Sequence, residues 1–155
     1  MSKIPETDLS NLTDLLTPHS GGGFKESRSP FHLWLAPVIL AVEKGKVELK
    51  YIIRPEMFNP MNTLHGGVTA AIVDDSIGVA VFSLGKKSFH TTVHLVVDYL
   101  APSLPNDHLI VKAVVIKNGK TLVHGQCEMF SEKTGKLVAR GIANLMYLGK
   151  TENPK

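Results

Sequence analysis

A carboxylate in the middle of a long apolar run is costly unless it is paired, hydrogen-bonded or facing a wet cavity. This chain keeps two such groups side by side. His65-Gly66-Gly67 opens a stretch reaching Leu84 in which Asp74 and Asp75 are the only charged residues. Val68 to Val73 before the acids and Ile77 to Phe82 after them are apolar on nearly every side, which predicts a buried helix over 66–84 rather than a surface one. At the start of such a helix the first backbone N–H groups lack intrahelical partners and sit at the positive end of the macrodipole. Glycine lets a ligand approach that backbone closely. The chemistry on offer is polarisation of a carbonyl at Gly66 and attack driven by a carboxylate, as general base or as nucleophile. The plainer alternative is that the two glycines only turn the chain from loop to helix.

Spacing adds a constraint. Asp74 lies eight residues beyond Gly66, roughly 12 Å along a helix. One carbonyl cannot touch both groups of a single chain. If both serve one reaction, the acid comes from a neighbouring protomer, the site lies at a dimer interface, and the enzyme is an obligate oligomer. Asp74 and Asp75 point about 100° apart on the helix, so both can hardly serve one site. Asp75 is expected to make a polar contact at a subunit boundary.

The remaining residues narrow the chemistry. His90 and His94 fall on one face of a predicted strand but roughly 13 Å apart, too far to share a metal. No P-loop, G-x-S-x-G or dinucleotide fingerprint occurs, and neither a metal nor a cofactor is expected. The single Cys127 rules out an internal disulfide, reads as a small core residue and fits a reducing compartment, so the chain is expected in the cytoplasm. A net charge of +3 with scattered basic residues is too mild for a nucleic-acid reader but suits a small anionic ligand. Met1 to Glu6 lacks the apolar core of a signal peptide. The 64–84 run, with its two central acids, reads as a soluble buried helix rather than a membrane span.

These groups must be held by the elements around them. Leu9, Leu12, Leu15 and Leu16 predict an N-terminal helix over 6–17, ended by Pro18 and Gly21-Gly22-Gly23. Residues 1–34 are read as this helical extension and its linker, and 35–150 as one domain. Strands are predicted over 36–43 and 46–54, joined at Lys44-Gly45. The loop from Met57 to Thr63 and the long helix follow. Four more strands are then predicted: one alternating from Ser88 to Tyr99, a pair over 109–117 and 120–131 around Asn118-Gly119, and a last one over 136–148 after Thr134-Gly135. Asn118-Gly119 reads as a type I′ hairpin turn. The class is α+β: a six-stranded antiparallel sheet wrapped around one long central helix, with the extra N-terminal helix. One sheet cannot cover a helix apolar on nearly every side, so dimerisation is expected.

The segment Asn59-Pro60-Met61-Asn62-Thr63-Leu64-His65-Gly66-Gly67, followed by Asp74, resembles the hotdog-fold acyl-CoA thioesterases of the PaaI type. Further matches are Tyr99-Leu100-Ala101-Pro102, Lys117 to Thr121, and Thr134-Gly135-Lys136-Leu137, so the likeness runs from about Ala36 to Gly149. The resemblance implies the hotdog fold and hydrolysis of an acyl-CoA thioester. The Gly66 N–H would polarise the carbonyl with Asn59 assisting and His65 beside them. Asp74 of the partner subunit would be general base or nucleophile. Thr92 stands where near relatives carry a Ser that orients the water. Gly67, Tyr99 and Pro102 would contact substrate, and Lys117, Asn118, Gly119 and Lys120 fall where relatives hold CoA. The turn residues read equally as an ordinary hairpin. His94 replaces an acid of an animal relative, which bears on substrate choice. A homo-oligomer is implied, a dimer pairing further into a tetramer. The rival readings are a non-catalytic acyl-CoA or lipid binder and a hydroxyacyl-thioester dehydratase.

Overall fold

The structure is a computed structural model and describes residues 29–85 and 88–149. The helix expected over 6–17 and the glycine linker lie outside the described residues. Six strands form one antiparallel sheet: β1 (Val38–Glu43), β2 (Lys46–Ile52), β3 (His90–Tyr99), β4 (His108–Asn118), β5 (Leu122–Ser131) and β6 (Leu137–Tyr147). Their order across the sheet is β1-β2-β4-β5-β6-β3. A short helix, α1 (Pro30–Leu35), precedes β1, and the long helix α2 (Gly66–Phe82) lies between β2 and β3. The expected order of two strands, helix and four strands is therefore observed. No described helix is long and apolar enough to cross a membrane.

The sheet and α2 share one core. Val47, Leu49 and Tyr51 of β2, Leu109 and Val111 of β4, and Cys127 and Met129 of β5 turn inward with the period of two that strands impose. Ile72, Val73, Ile77, Ala80 and Val81 meet them from the helix. Two strand glycines let the helix down onto the sheet. A Cβ on Gly125 would stand 2.5 Å from Ile77 Cγ2, and one on Gly141 would stand 2.5 Å from Val73 Cγ1 and 2.8 Å from the Val96 carbonyl. The Val96 backbone cannot yield as a side chain can. Gly141→Ala is therefore expected to lower stability by about 1–3 kcal/mol, as overpacked cores do, read as a drop in the thermal midpoint.

Several expectations need correction. The helix ends at Phe82, not Leu84, because Ser83 caps it. Its hydroxyl donates to the Ala80 carbonyl at 2.7 Å and accepts the Gly45 N–H at 2.8 Å, tying the helix end to the β1–β2 turn. β2 stops at Ile52, and a 3-10 turn, Pro55–Met57, follows. Asn118-Gly119 is not a type I′ turn, since neither residue has the positive φ that turn requires. Residues 119–121 connect the strands, and Gly119 donates its N–H to the Leu122 carbonyl at 2.9 Å. That carbonyl lies 2.7 Å from where a Cβ would sit, so glycine is needed for close approach rather than for φ.

Helix α1 occupies a segment that the sequence pattern marks as linker. Ser29 caps it by accepting the His32 N–H, and Pro30 occupies the first turn, where its missing N–H costs nothing. Leu35 is fully buried, and the Arg54 guanidinium reaches the Trp34 carbonyl at 2.6 Å while lying over the Trp34 ring.

Among the described residues one side of the core is open: β3 is an edge strand, paired there only with β6. A Cβ on Gly78 of α2 would meet nothing within 4 Å, and Phe82, Phe89 and Val93 are exposed.

Candidate active site

The N-terminus of α2 is built by its own loop. His65 is the N-cap, and its Nδ1 accepts the Gly67 N–H at 2.9 Å. The His65 carbonyl takes the N–H groups of Val68 and Thr69. Among the described residues the Gly66 N–H alone of this first turn has no partner. Gly66 has no positive φ, and a Cβ there would meet only the Tyr99 ring at an ordinary 3.6 Å. Neither backbone strain nor packing within the chain demands glycine at 66, which favours a ligand-approach role over a mere turn. Gly67 differs: its N–H is already engaged.

Asn59 shapes the loop that leads in. Its Oδ1 accepts the N–H groups of Met61 and Thr63, and its Nδ2 donates to Thr63 Oγ1 at 2.8 Å. Tyr99 donates its hydroxyl to the Gly66 carbonyl at 3.1 Å, fixing that peptide from the other side. Asn59, Gly66, Thr69, Tyr99 and Pro102 line one cavity of about 380 Å³. Four of the predicted site residues thus share a wall: Asn59, Gly66, Tyr99 and Pro102.

Asp74 is elsewhere on α2 and does not line that cavity. Thr92 Oγ1 donates to its Oδ1 at 2.7 Å. Thr92 is half-buried and Thr91 exposed; a register shift between Thr92 and His94 breaks the strict alternation expected of this strand and leaves Val93 exposed while Leu95 and Val97 turn inward. Asp75 makes its polar contacts within the chain: its carboxylate accepts from His32 Nδ1 and from the Tyr51 hydroxyl, each at 2.9 Å. The Tyr51 hydroxyl also contacts Ser76 Oγ at 2.9 Å. Burial, and next the adjacent Asp75 carboxylate, push Tyr51 well above its ordinary pKa of 10.0, so it stays a protonated donor. No signal in the sequence linked His32 to Asp75, 43 residues away.

The turn residues sit apart. Lys117, Gly119, His124 and Asn144 line a second cavity of about 340 Å³, which Lys120 does not line. Asn118 instead accepts the Tyr147 hydroxyl at 2.7 Å, and His124 Nδ1 pairs with Asn144 Oδ1 at 2.7 Å. Burial pushes the Cys127 thiol up to about 12, so it is no nucleophile at neutral pH.

Residues 61–138 match the model of the thioesterase superfamily. The chain belongs to the thioesterase superfamily. Acyl-coenzyme A thioesterase 13 of Homo sapiens is 30% identical over 103 residues, covering 66% of this chain and 74% of that protein. The PaaI protein of E. coli superposes with a TM-score of 0.73 at 21% identity, covering 80% of this chain and 88% of that one. A hypothetical thioesterase of Streptococcus pneumoniae TIGR4, solved with coenzyme A, gives 0.69 at 20% identity over 75% and 88% of the two chains. The architecture of this superfamily member is the hotdog fold, as expected.

In this thioesterase-superfamily chain the Thr92 hydroxyl donates its hydrogen bond to Asp74, which leaves the lone pairs of the hydroxyl oxygen open. Thr92→Ser retains that arrangement and is expected to keep most activity. Thr92→Val keeps the shape and deletes the hydroxyl. Loss of one oriented contact of this kind costs roughly 10²-fold in rate. Steady-state kinetics should show the loss in kcat rather than KM, with an unchanged circular dichroism spectrum.

Proposed function

We propose that the chain hydrolyses an acyl-CoA thioester to the free acid and CoA. The observation that carries this reading is the unpartnered Gly66 N–H at the positive end of α2, on the wall of a cavity, in a helix that also holds Asp74. The Gly66 N–H polarises the thioester carbonyl, with Asn59 shaping the approach. Asp74 of the partner subunit takes a proton from water as the water oxygen attacks the carbonyl carbon, or attacks that carbon itself to form a mixed anhydride that water then hydrolyses to the free acid. The carbon–sulfur bond breaks, and the thiolate leaves as CoA once protonated. The separation of Gly66 and Asp74, roughly 12 Å along one helix, supports a site completed by a second copy. The open side of α2, the exposed Val93 and the unpaired edge of β3 supply a surface for that copy. Lys117 and Lys120 suit the phosphates of CoA as point charges. The name of the human relative and the CoA-bound streptococcal structure support the substrate class.

A free-thiol release assay over aromatic, medium-chain and long-chain acyl-CoAs tests the reading. Release of CoA thiol from at least one acyl class is expected. Tight binding of acyl-CoA without any release would instead mark a non-catalytic binder.

A further inference from the structure

α2 turns Ile72, Val73, Ile77 and Val81 onto the sheet, and beside that apolar face it holds two adjacent carboxylates, each braced from a different element. Asp74 is braced toward the edge strand by Thr92 at 2.7 Å. Asp75 is braced the other way by two donors, Tyr51 of β2 and His32 of α1. The bond of His32 is close to symmetric, at 2.9 Å to each carboxylate oxygen. Both side chains are largely buried, His32 at 6% exposure and Asp75 at 13%. α1 is a firm platform, anchored by buried Leu35, by the Ser29 cap and by Arg54 on Trp34.

We propose that His32 is a positioning residue: through Asp75 it sets the roll of α2, and so the aim of Asp74. The inference rests on the reading above that Asp74 is the acid of the reaction. The lever is direct, since the two acids are consecutive on one rigid helix. Side-chain ends lie about 5–6 Å from a helix axis. A roll of about 10° therefore shifts the Asp74 carboxylate by roughly 1 Å, and misplacement on that scale is enough to slow an oriented reaction by up to 10²-fold. A short segment outside the central helix thereby acts on chemistry it does not touch.

The test compares His32→Phe with His32→Asn. Phenylalanine fills the space and deletes the donor. Asparagine carries an amide N–H close to the position of Nδ1. For His32→Phe, kcat is expected to fall about tenfold with KM within twofold, and His32→Asn should recover most of the loss. A second readout needs no turnover: the Asp74 carboxyl carbon in ¹³C-labelled protein, assigned with Asp74→Asn. Its chemical shift should move in His32→Phe and return in His32→Asn. If His32→Phe fails to fold, His32→Gln replaces it, because its amide sits one methylene too far out to serve Asp75. An unchanged Asp74 signal, or an asparagine variant as impaired as the phenylalanine one, overturns the proposal. A merely structural His32 would lower the thermal midpoint and leave kcat of the folded protein and the Asp74 signal in place. A wild-type protein inert to every acyl-CoA would defeat the proposed function, while the carbon signal would still decide the role of His32.

Discussion

Asp74→Asn should lower kcat by about 10²–10⁴-fold, the usual worth of a positioned general base, while acyl-CoA binding is largely kept. The substitution preserves size and an acceptor for the Thr92 hydroxyl, which reaches Oδ1 at 2.7 Å. It removes only the capacity to take a proton or to attack. Asp75→Asn is the matched control. An amide oxygen in the place of Oδ2 still accepts from His32 and Tyr51, both at 2.9 Å from that atom, and the only bond lost is the second one from His32, to Oδ1. Its effect on turnover should be far smaller. Steady-state kinetics with ligand binding measured separately distinguish the two variants. The reverse result, with Asp75→Asn inactive and Asp74→Asn active, would exchange the roles assigned to the two acids.

The fold was largely legible because its signals are periodic. Strands alternating in steps of two, turn residues at Gly45 and Gly135, and one unbroken apolar stretch lead to a sheet around a helix. Both of those glycines do adopt positive φ. The misreadings share a cause: they depend on contacts between distant segments. Asn118-Gly119 has the composition of a two-residue turn. A register shift between Val115 and Lys117 and the Leu122 carbonyl over Gly119 impose a longer connection. Helix α1 has only six residues, too few for periodicity to reveal, although Ser29-Pro30 is a readable start signal.

The candidate site divides in the same way. The glycine pair and the acids stand out because a helix N-terminus and a charge in an apolar run are local features. Their environments are not local. Sequence offered nothing to show that His65 holds the Gly67 N–H, which leaves Gly66 as the available donor. The partners of Asp75, His32 and Tyr51, come from elements distant in the chain, so no local pattern reveals them.

On the proposed mechanism one reaction uses Gly66 of one chain and Asp74 of another. Gly66→Pro removes the proposed donor with little disturbance. Gly66 is the first residue of α2, where proline is tolerated, and His65 at φ −63° and ψ 134° already has the backbone favoured before proline. Alone, this variant should lose about 10²–10³-fold in kcat, as removal of one such donor does. Asp74→Asn alone should be similarly poor. Mixed in equal amounts under verified subunit exchange, half of the dimers carry one variant of each kind. In each of these, one site holds both defects and the other holds none. Recovery to about one quarter of wild-type thiol release is expected, the share of sites left intact in a two-fold symmetric dimer. Activity no higher than the mean of the two variants, with exchange demonstrated, would contradict that mechanism.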